Sequence, residues 1–267
     1  MILIDGRKAR EHFLPILQAR IKALSFVPKL AIIQVGDRDD SSTYIRGKKA
    51  FASKIGIDIV HEKLNQEIGE EEIITLVNKF NKDKSVQGII IQLPLPAHLD
   101  SEKIINLINP EKDTDGLVPN TKYMPATARG IRELFQFYNI DLKDKKVAML
   151  GRSKIVGKPT AIMCQKEGAI VTICHKETKD IPSITQKSDI VIVAIGQPKL
   201  IDEKYFSKDV IVIDVGITRD PNEGLVGDVD FDKVKNIVGM ITPVPGGVGQ
   251  MTMLAIFENL VDACYNV

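Results

Sequence analysis

The chain has 267 residues, of which 44% are hydrophobic and 27% charged, a composition typical of one large globular domain or two ordinary ones. Lys and Arg number 36 against 35 Asp and Glu, for a formal net charge of +1. This excludes the basic balance of a dedicated nucleic-acid-binding domain and the high net charge of a disordered chain. The 3 cysteines and 4 histidines lack metal-ligand spacing, and no apolar run approaches the roughly 18 residues of a transmembrane helix. We therefore expect a cytoplasmic protein without disulfides, bound metal, nucleic-acid partner or membrane partner.

The first half of the chain alternates short apolar runs with longer amphipathic segments. A short apolar run bounded by turn residues predicts a buried strand, and apolar residues three or four apart predict a helix. By these criteria strands lie at Leu30–Val35, 57–60 and Val86–Leu93, and helices at 42–55 and 69–82. This β-α-β-α-β order predicts a parallel sheet covered by helices.

The pattern restarts after a polar, turn-rich stretch at residues 109–128, and we place the join between two α/β halves near residues 116–128. The next predicted elements are a helix at 129–139, a strand at Lys146–Leu150, a helix from about Val156, strands at 169–174, 189–195 and 210–215, and a last helix at 251–261. The strands are dense in Val and Ile, which predicts strands buried on both faces of a doubly wound sheet.

A loop suited to binding phosphate lies between the strand ending at Leu150 and the next helix. It reads Gly151-Arg-Ser-Lys-Ile-Val-Gly157, and backbone N–H groups at a helix start bind phosphate in nucleotide-binding folds. Because Ser153 replaces the second glycine of the usual dinucleotide motif, an ordinary strand-to-helix turn is the alternative. The three strands that follow favour nucleotide binding.

The end of the second strand of such a sheet contacts the 2′ position of the cofactor's ribose. Here it reads Cys174-His-Lys-Glu-Thr178, so Arg152 and Lys176 can form a cationic clamp on a 2′-phosphate. Glu177 opposes the clamp, and we expect it to turn away because adjacent side chains of an extended segment point to opposite faces. A solvated run of charges is the alternative, and spacing alone favours it.

Tyr44 and Lys48 are four residues apart and share one face of a predicted helix. A desolvated lysine beside a phenol suits proton transfer, because burial lowers the pKa of an amine toward neutrality. The alternative is a surface lysine beside a half-buried tyrosine. Short-chain dehydrogenases carry the same spacing downstream of their cofactor loop, whereas here it lies about 100 residues upstream of that loop, so we exclude that family.

Three further segments combine candidate binding residues with a tightly turning backbone. Gln92 ends a predicted strand in Gln92-Leu-Pro-Leu-Pro96, Asp115 precedes the turn residue Gly116, and Thr242-Pro-Val-Pro-Gly-Gly-Val-Gly249 leads into the last helix. Each also has a simpler explanation: a strand terminator, an Asp-Gly turn, and a hinge or rigid crossover between domains.

In this order the segments resemble one family from end to end, the bifunctional methylenetetrahydrofolate dehydrogenase/cyclohydrolases. The resemblance spans roughly residues 1–265. The motifs that carry it are Tyr44-x-x-x-Lys48, Gly88-x-x-x-Gln92-Leu-Pro-Leu-Pro96, Lys112-Asp-Thr-Asp-Gly116, Gly151-Arg-Ser-Lys-Ile-Val-Gly157, Gly227-Asp-Val229 and Thr242-Pro-Val-Pro-Gly-Gly-Val-Gly249.

The resemblance implies a two-domain α/β protein and a homodimer. The folate-binding catalytic domain would comprise 1–120 plus 243–267, the Rossmann-like, doubly wound NADP-binding domain 121–242, and a cleft between them would hold folate. NADP-dependent oxidation of 5,10-methylenetetrahydrofolate to 5,10-methenyltetrahydrofolate would precede hydrolysis to 10-formyltetrahydrofolate. This is one-carbon metabolism of the kind that supplies purine biosynthesis.

The resemblance also implies roles for individual residues. Lys48, positioned by Gln92 and accompanied by Tyr44, would be catalytic, and Tyr44, Asp115, Pro245 and Gly246 would contact the folate. The cofactor would be bound by six residues: Gly151, Arg152, Ser153, Lys176, Gly196 and Ile217. This chain has Lys176 where the family often has serine, and Gln250 where it often has proline.

Two other functions compete with this assignment. One is a monofunctional nicotinamide-dependent dehydrogenase of the same fold acting on another small substrate, and the other is a nucleotide-binding regulator without catalysis. The combination of Lys48, Gln92 and Asp115 argues against the first, and the retention of all four candidate site residues, Tyr44 included, argues against the second.

Overall fold

Residues 1–265, the part of the chain that the computed structural model describes, divide into two α/β units. The three-stranded unit comprises Phe13–Ala126 with the C-terminal residues from Ala255, and the six-stranded unit comprises Met1–His12 with Thr127–Leu254. The predicted class, two α/β domains with parallel sheets, is confirmed.

The strands of the three-stranded unit are β2 (Lys29–Val35), β3 (Asp58–Leu64) and β4 (Gly88–Ile91), and its helices are α2 (Asp39–Ile55), α3 (Glu70–Lys82) and α4 (Ser101–Ile105). The strands form a parallel sheet in the order β3-β2-β4. Apolar side chains of β2 and β4, including Ile33 and Ile89, are fully buried under the helices.

The strand order of this unit creates a crevice at the carboxyl edge of its sheet. Strand β3 follows β2 in the chain and lies on one side of it, whereas β4 lies on the other side of β2. The loops that follow β2 and β4 therefore run in opposite directions. In open α/β sheets, ligands bind at such a switch point. The loop after β2 leads into α2, and Gln92 follows β4 directly, with its backbone N–H donating to Ile33 O at 2.8 Å.

The strands of the six-stranded unit are β1 (Ile2–Leu3), β5 (Lys146–Leu150), β6 (Ile170–Cys174), β7 (Ile190–Val193), β8 (Ile211–Asp214) and β11 (Met240–Ile241), with a separate hairpin of β9 (Thr218–Asp220) and β10 (Gly224–Val226). The six strands form a parallel sheet in the order β1-β11-β8-β7-β5-β6. Its helices are α5 (Ala126–Phe137), α6 (Gly157–Lys166), α7 (Ile181–Thr185) and α8 (Phe231–Val234). The terminal helices, α1 (Gly6–Lys22) and α9 (Val248–Cys264), each contribute residues to both units. Within residues 1–265, every helix is too short or too polar to cross a membrane.

A second switch point lies in this sheet, between β5 and β7. The chain runs from β5 to its outer neighbour β6 and then crosses to β7 on the other side of β5. The loops that begin at Gly151 and near Gly196 therefore open on opposite sides of one crevice, where a doubly wound sheet binds a dinucleotide.

One predicted feature of this sheet is wrong. The strand predicted at 169–174 was expected to be buried on both faces, but β6 is an edge strand, with Ile170 59% and Ile173 38% exposed. A run of β-branched residues is common to central and edge strands, so composition alone does not separate them.

The compact units also differ from the predicted domain ranges at the chain ends. Residues 1–12 and 243–254 group with the second half of the chain rather than with the first. The cause is pairing: Ile2 and Leu3 align with Met240 and Ile241, and the Gly6 N–H donates to Gly246 O at 2.9 Å.

Helix α5 packs against the first turns of α9 at a glycine. A Cβ on Gly130 would lie 2.7 Å from Met251 C and 2.8 Å from Thr252 N. Gly-to-Ala changes inside helices normally stabilise by about 0.5–1 kcal/mol, but Gly130→Ala should destabilise by about 1–3 kcal/mol because the backbones must separate. Thermal unfolding checks this with Gly249→Ala as control, since a Cβ there meets nothing within 4 Å. Equal melting temperatures for the two variants would contradict the close approach.

Candidate active site

Lys48 and Gln92 form a direct contact in the three-stranded unit. Lys48 is only 8% exposed, and its Nζ donates to Gln92 Oε1 at 3.0 Å. Gln92 Nε2 donates to Leu93 O at 2.8 Å, which fixes the amide so that its oxygen faces the amine. The switch-point crevice of this sheet thus brings a residue of α2 and the residue after β4 together.

The charge of Lys48 is set by two opposing influences. Burial lowers the pKa of the Lys48 amine, and the carboxylate of Asp115 raises it by a smaller amount. The same opposition acts on Asp115, a partly buried residue, where burial raises the carboxyl pKa and Lys48 lowers it. Desolvation dominates for both, so the amine loses its proton more readily than an exposed lysine.

Tyr44 lies one helical turn before Lys48 on α2, as predicted. It is 36% exposed, and partial burial together with the Asp40 carboxylate raises the pKa of its phenol. The hydroxyl therefore stays protonated at neutral pH, and Tyr44 offers a hydrogen-bond donor and an aromatic face rather than a base.

Two buried residues that the sequence analysis gave no role hold the Asp115 loop. Asp113, 1% exposed, accepts the Gly116 N–H at 3.0 Å and the Val118 N–H at 2.8 Å, one on each carboxyl oxygen. Asn259 on α9 is fully buried and donates to Thr114 O at 2.8 Å and to Met124 O at 3.0 Å. The pair Glu258-Asn259 interrupts an apolar stretch between Ile256 and Val261, and this interruption was the available signal for Asn259.

The loop after β5 has the compact form that its glycines predict. Gly151 has φ +114°, and a Cβ there would overlap Ala194 O, so the loop lies directly against the chain after β7. Ser153 Oγ accepts the N–H groups of Val156 and Gly157 at 3.1 and 3.2 Å. Ser153 therefore caps the start of α6 and shapes the loop.

The basic residues predicted to clamp a 2′-phosphate lie at the carboxyl ends of β5 and β6, where Arg152 and Lys176 are both exposed. The expectation that Glu177 turns away is wrong, because its Oε2 lies 3.5 Å from Arg152 Nη2. Glu177 belongs to the loop after β6 rather than to the strand, so the alternation of an extended segment does not apply. A cofactor phosphate must compete with Glu177 for Arg152.

The remaining predicted residues also belong to the six-stranded unit. Gly196 and Ile217 follow β7 and β8, and nothing lies within 4 Å of a Cβ built on Gly196, so the chain leaves open space there. Pro245 and Gly246 lie in the loop between β11 and α9, against the start of α1. Their predicted contact with folate stays a prediction.

The residues of the six-stranded unit fit a phosphorylated dinucleotide. They combine a glycine loop at a helix start, open space beside Gly196 across the same switch point, and one cationic side chain at the end of each of β5 and β6. Within the described chain, no group of three or more His, Cys, Asp or Glu side chains is placed to hold a metal ion.

Two protein-family models match this chain, in the order of its two halves. The catalytic domain of tetrahydrofolate dehydrogenase/cyclohydrolase matches residues 4–115, and the NAD(P)-binding domain of the same family matches residues 125–267.

Individual relatives match over nearly the whole chain. The bifunctional protein FolD of Agathobacter rectalis is 45% identical over 243 residues, which cover 88% of this chain and 87% of that one. The bifunctional FolD methylenetetrahydrofolate dehydrogenase/cyclohydrolase of Campylobacter jejuni superposes with a TM-score of 0.95 at 38% identity, over 100% of this chain and 99% of that one. The Trypanosoma brucei methylenetetrahydrofolate dehydrogenase-cyclohydrolase, solved with NADP and an inhibitor, superposes with a TM-score of 0.93 at 33% identity, over 100% of this chain and 98% of that one.

The family models, the identity over most of the chain and the shared fold agree with the motifs at Lys48, Gln92 and Gly151. The chain belongs to the tetrahydrofolate dehydrogenase/cyclohydrolase family.

Proposed function

We propose that this protein oxidises 5,10-methylenetetrahydrofolate with NADP and hydrolyses the 5,10-methenyl product to 10-formyltetrahydrofolate, using Lys48, Gln92 and Tyr44 as its catalytic residues. The observation that carries the proposal is the buried Lys48 amine, bonded to Gln92 and influenced by Asp115. A monofunctional dehydrogenase does not need such an amine, whereas hydrolysis of the methenyl product needs a base.

Lys48 serves the hydrolytic step as a proton carrier. Water adds to the methenyl carbon, and the proton it releases passes to the neutral amine of Lys48. As the bond from that carbon to N5 breaks, the added hydroxyl becomes the formyl C=O and its proton leaves to solvent. N5 takes up the proton held by the Lys48 ammonium and the formyl group stays on N10, so one proton is released overall. The lowered pKa of Lys48 increases the share of neutral amine, and a neutral amine does not repel the cationic methenyl group.

Gln92 and Asp115 prepare this site for the substrate. Gln92 holds the amine with an acceptor whose direction is fixed by Leu93 O. The Asp115 carboxylate can accept two hydrogen bonds from the ring N–H and amino groups of a pterin, which orients the ring. The protonated phenol of Tyr44 offers a flat, half-buried surface for the folate ring system.

The oxidation depends on orientation more than on proton transfer. NADP, when bound, accepts a hydride from the methylene carbon. The chain contributes the glycine loop at Gly151, capped by Ser153, the open position at Gly196, and Ile217 after β8. Arg152 and Lys176 supply the positive charge that a 2′-phosphate requires.

We also propose a cytoplasmic homodimer that supplies formyl groups for purine biosynthesis. The three cysteines, Cys164, Cys174 and Cys264, are free, in keeping with a reducing compartment. The edge strand β6 exposes Ile170 and Ile173, and Ile162 of α6 is 51% exposed. An exposed edge strand with apolar neighbours is a surface that proteins normally cover. We propose that a second copy of the chain binds to this surface.

Lys48→Met should lower the hydrolysis of methenyltetrahydrofolate about 10²- to 10⁴-fold, the usual range for losing an acid–base group. The oxidation should fall much less, since it needs positioning rather than a base. The decay and the formation of methenyl absorbance measure the two rates separately. Lys49→Met, which removes an adjacent exposed lysine, is the matched control. Wild-type hydrolysis by Lys48→Met would remove Lys48 from the mechanism.

The protein should prefer NADP to NAD in kcat/KM, and Arg152→Ala with Lys176→Ser should reduce that preference at least about tenfold, since each charge-assisted contact contributes roughly 1.5–3 kcal/mol. Glu177→Gln should strengthen the preference, because it frees Arg152 from its present partner. Lys187→Ser with Lys208→Ser, at two exposed lysines of the same unit, removes the same two charges and controls for net charge. A preference for NAD would contradict the cofactor assignment, and a preference that survives the double substitution would contradict the clamp.

A further inference from the structure

Two aspartates are buried beside one another at the carboxyl end of β8. Asp214 ends the strand and is 3% exposed, while Asp228, in the Gly227-Asp-Val229 motif, is fully buried. A Cβ on Gly216 would overlap the Asp228 carboxyl, and a Cβ on Gly227 would overlap that of Asp214. The chain therefore uses glycine at both positions to admit two carboxyl groups into its interior.

Six hydrogen bonds from backbone N–H groups satisfy these carboxyls. Asp228 Oδ2 accepts from Ile195 and Gly196 at 2.7 and 2.9 Å, and its Oδ1 accepts from Gln197 at 2.8 Å. Asp214 Oδ1 accepts from Gly216 and Asp228 at 3.0 and 3.1 Å, and its Oδ2 accepts from Val229 at 3.0 Å. Asp214 thus holds the backbone on both sides of Asp228, and Asp228 holds the loop after β7.

The pair is not explained by stability alone. Burial and the repulsion of Asp228 raise the pKa of Asp214 to about 7, so keeping Asp214 charged costs free energy. What the pair provides is geometry, because each carboxylate takes N–H groups from more than one residue at fixed positions. Neither an amide nor an apolar side chain can accept all three bonds.

The loops held by the pair are those predicted to contact the cofactor beyond the Gly151 loop. Asp228 fixes Gly196 and its neighbours, and Asp214 fixes Gly216, which precedes Ile217. In a doubly wound sheet the first strand's loop binds the pyrophosphate and the end of the second strand binds the adenosine ribose. Strands β7 and β8 lie on the other side of β5 from β6, so their loops face the remaining half of the dinucleotide.

We propose that Asp228 and Asp214 are positioning residues that set the loops after β7 and β8 for the nicotinamide half of the cofactor. This inference rests on the proposed NADP-dependent oxidation. In the Asp228→Asn variant, the amide oxygen can still accept two of the three N–H groups. The amide NH2 group, however, faces the third N–H. Because both groups are donors, no hydrogen bond forms between them, and the loop must shift.

Asp228→Asn in the full-length protein should therefore raise the KM for NADP about tenfold or more, the effect of leaving a buried donor unpaired. The KM for methylenetetrahydrofolate and the rate of methenyltetrahydrofolate hydrolysis, which uses no nicotinamide, should stay within about twofold. Inhibition by 2′,5′-ADP, which lacks the nicotinamide half, should also be unchanged, whereas general damage to the unit would weaken it.

Asp230→Asn is the matched control, because this nearby carboxylate also accepts a backbone N–H, that of Lys233, but holds neither loop. If Asp228→Asn does not fold, as judged by circular dichroism, Thr242→Val replaces it. The Thr242 hydroxyl accepts the N–H of Asp214 at 2.7 Å and donates to its C=O at 3.2 Å. Losing this hydroxyl should raise the KM for NADP about threefold and leave hydrolysis and inhibition by 2′,5′-ADP unchanged.

An unchanged KM for NADP in the folded variants would overturn the proposal, as would a parallel loss of hydrolysis and 2′,5′-ADP binding. A wild-type protein that fails to oxidise methylenetetrahydrofolate with NADP would instead overturn the proposed function. The wild-type assay therefore separates the two failures.

Discussion

The proposed chemistry depends on the burial of one amine, that of Lys48. A buried ammonium loses its hydration, and a single neutral acceptor such as Gln92 Oε1 does not replace it fully. The Asp115 carboxylate offsets part of that loss, yet burial remains the larger influence on the pKa of Lys48. The amine therefore loses its proton more readily than an exposed lysine, and Asp115 limits that effect.

The same feature of strand order forms a crevice in each of the two sheets. In each sheet the chain crosses from one side of a central strand to the other, at β2 and β4 in one unit and at β5 and β7 in the other. Each crossing opens a crevice at the carboxyl edge. The chain then fixes the loops of each crevice with buried polar side chains: Asp113 and Asn259 around Asp115, and Asp214 and Asp228 around Gly196 and Gly216. Asp115, Gly196 and Gly216 thus lie on loops whose backbone hydrogen bonds are satisfied from inside the protein, whereas Lys48 and Tyr44 lie on α2.

Sequence patterns predict the parts of this arrangement that depend on local physics. The strand Lys146–Leu150 was predicted with its observed bounds, whereas the contact of Lys48 with Gln92 was implied by the family resemblance and not by spacing. Helix α1 received no prediction, although Leu14, Leu17 and Ile21 recur at helical spacing, because Pro15 inside the helix opposes that signal. The edge position of β6, the approach of Glu177 to Arg152 and the bonds of Asn259 to Thr114 and Met124 depend on residues far apart in sequence, where spacing carries no information.

The titration of Lys48 tests the central claim most directly. Heteronuclear NMR of the lysine side chains, with the Lys48 signal assigned by its loss in Lys48→Met, gives the pKa of this one amine. The account predicts a pKa below the ordinary value of about 10.5, and a further decrease in Asp115→Asn, because that change removes the charge that favours the ammonium. A pKa at or above 10.5 in the wild type, or an increase in Asp115→Asn, would contradict it.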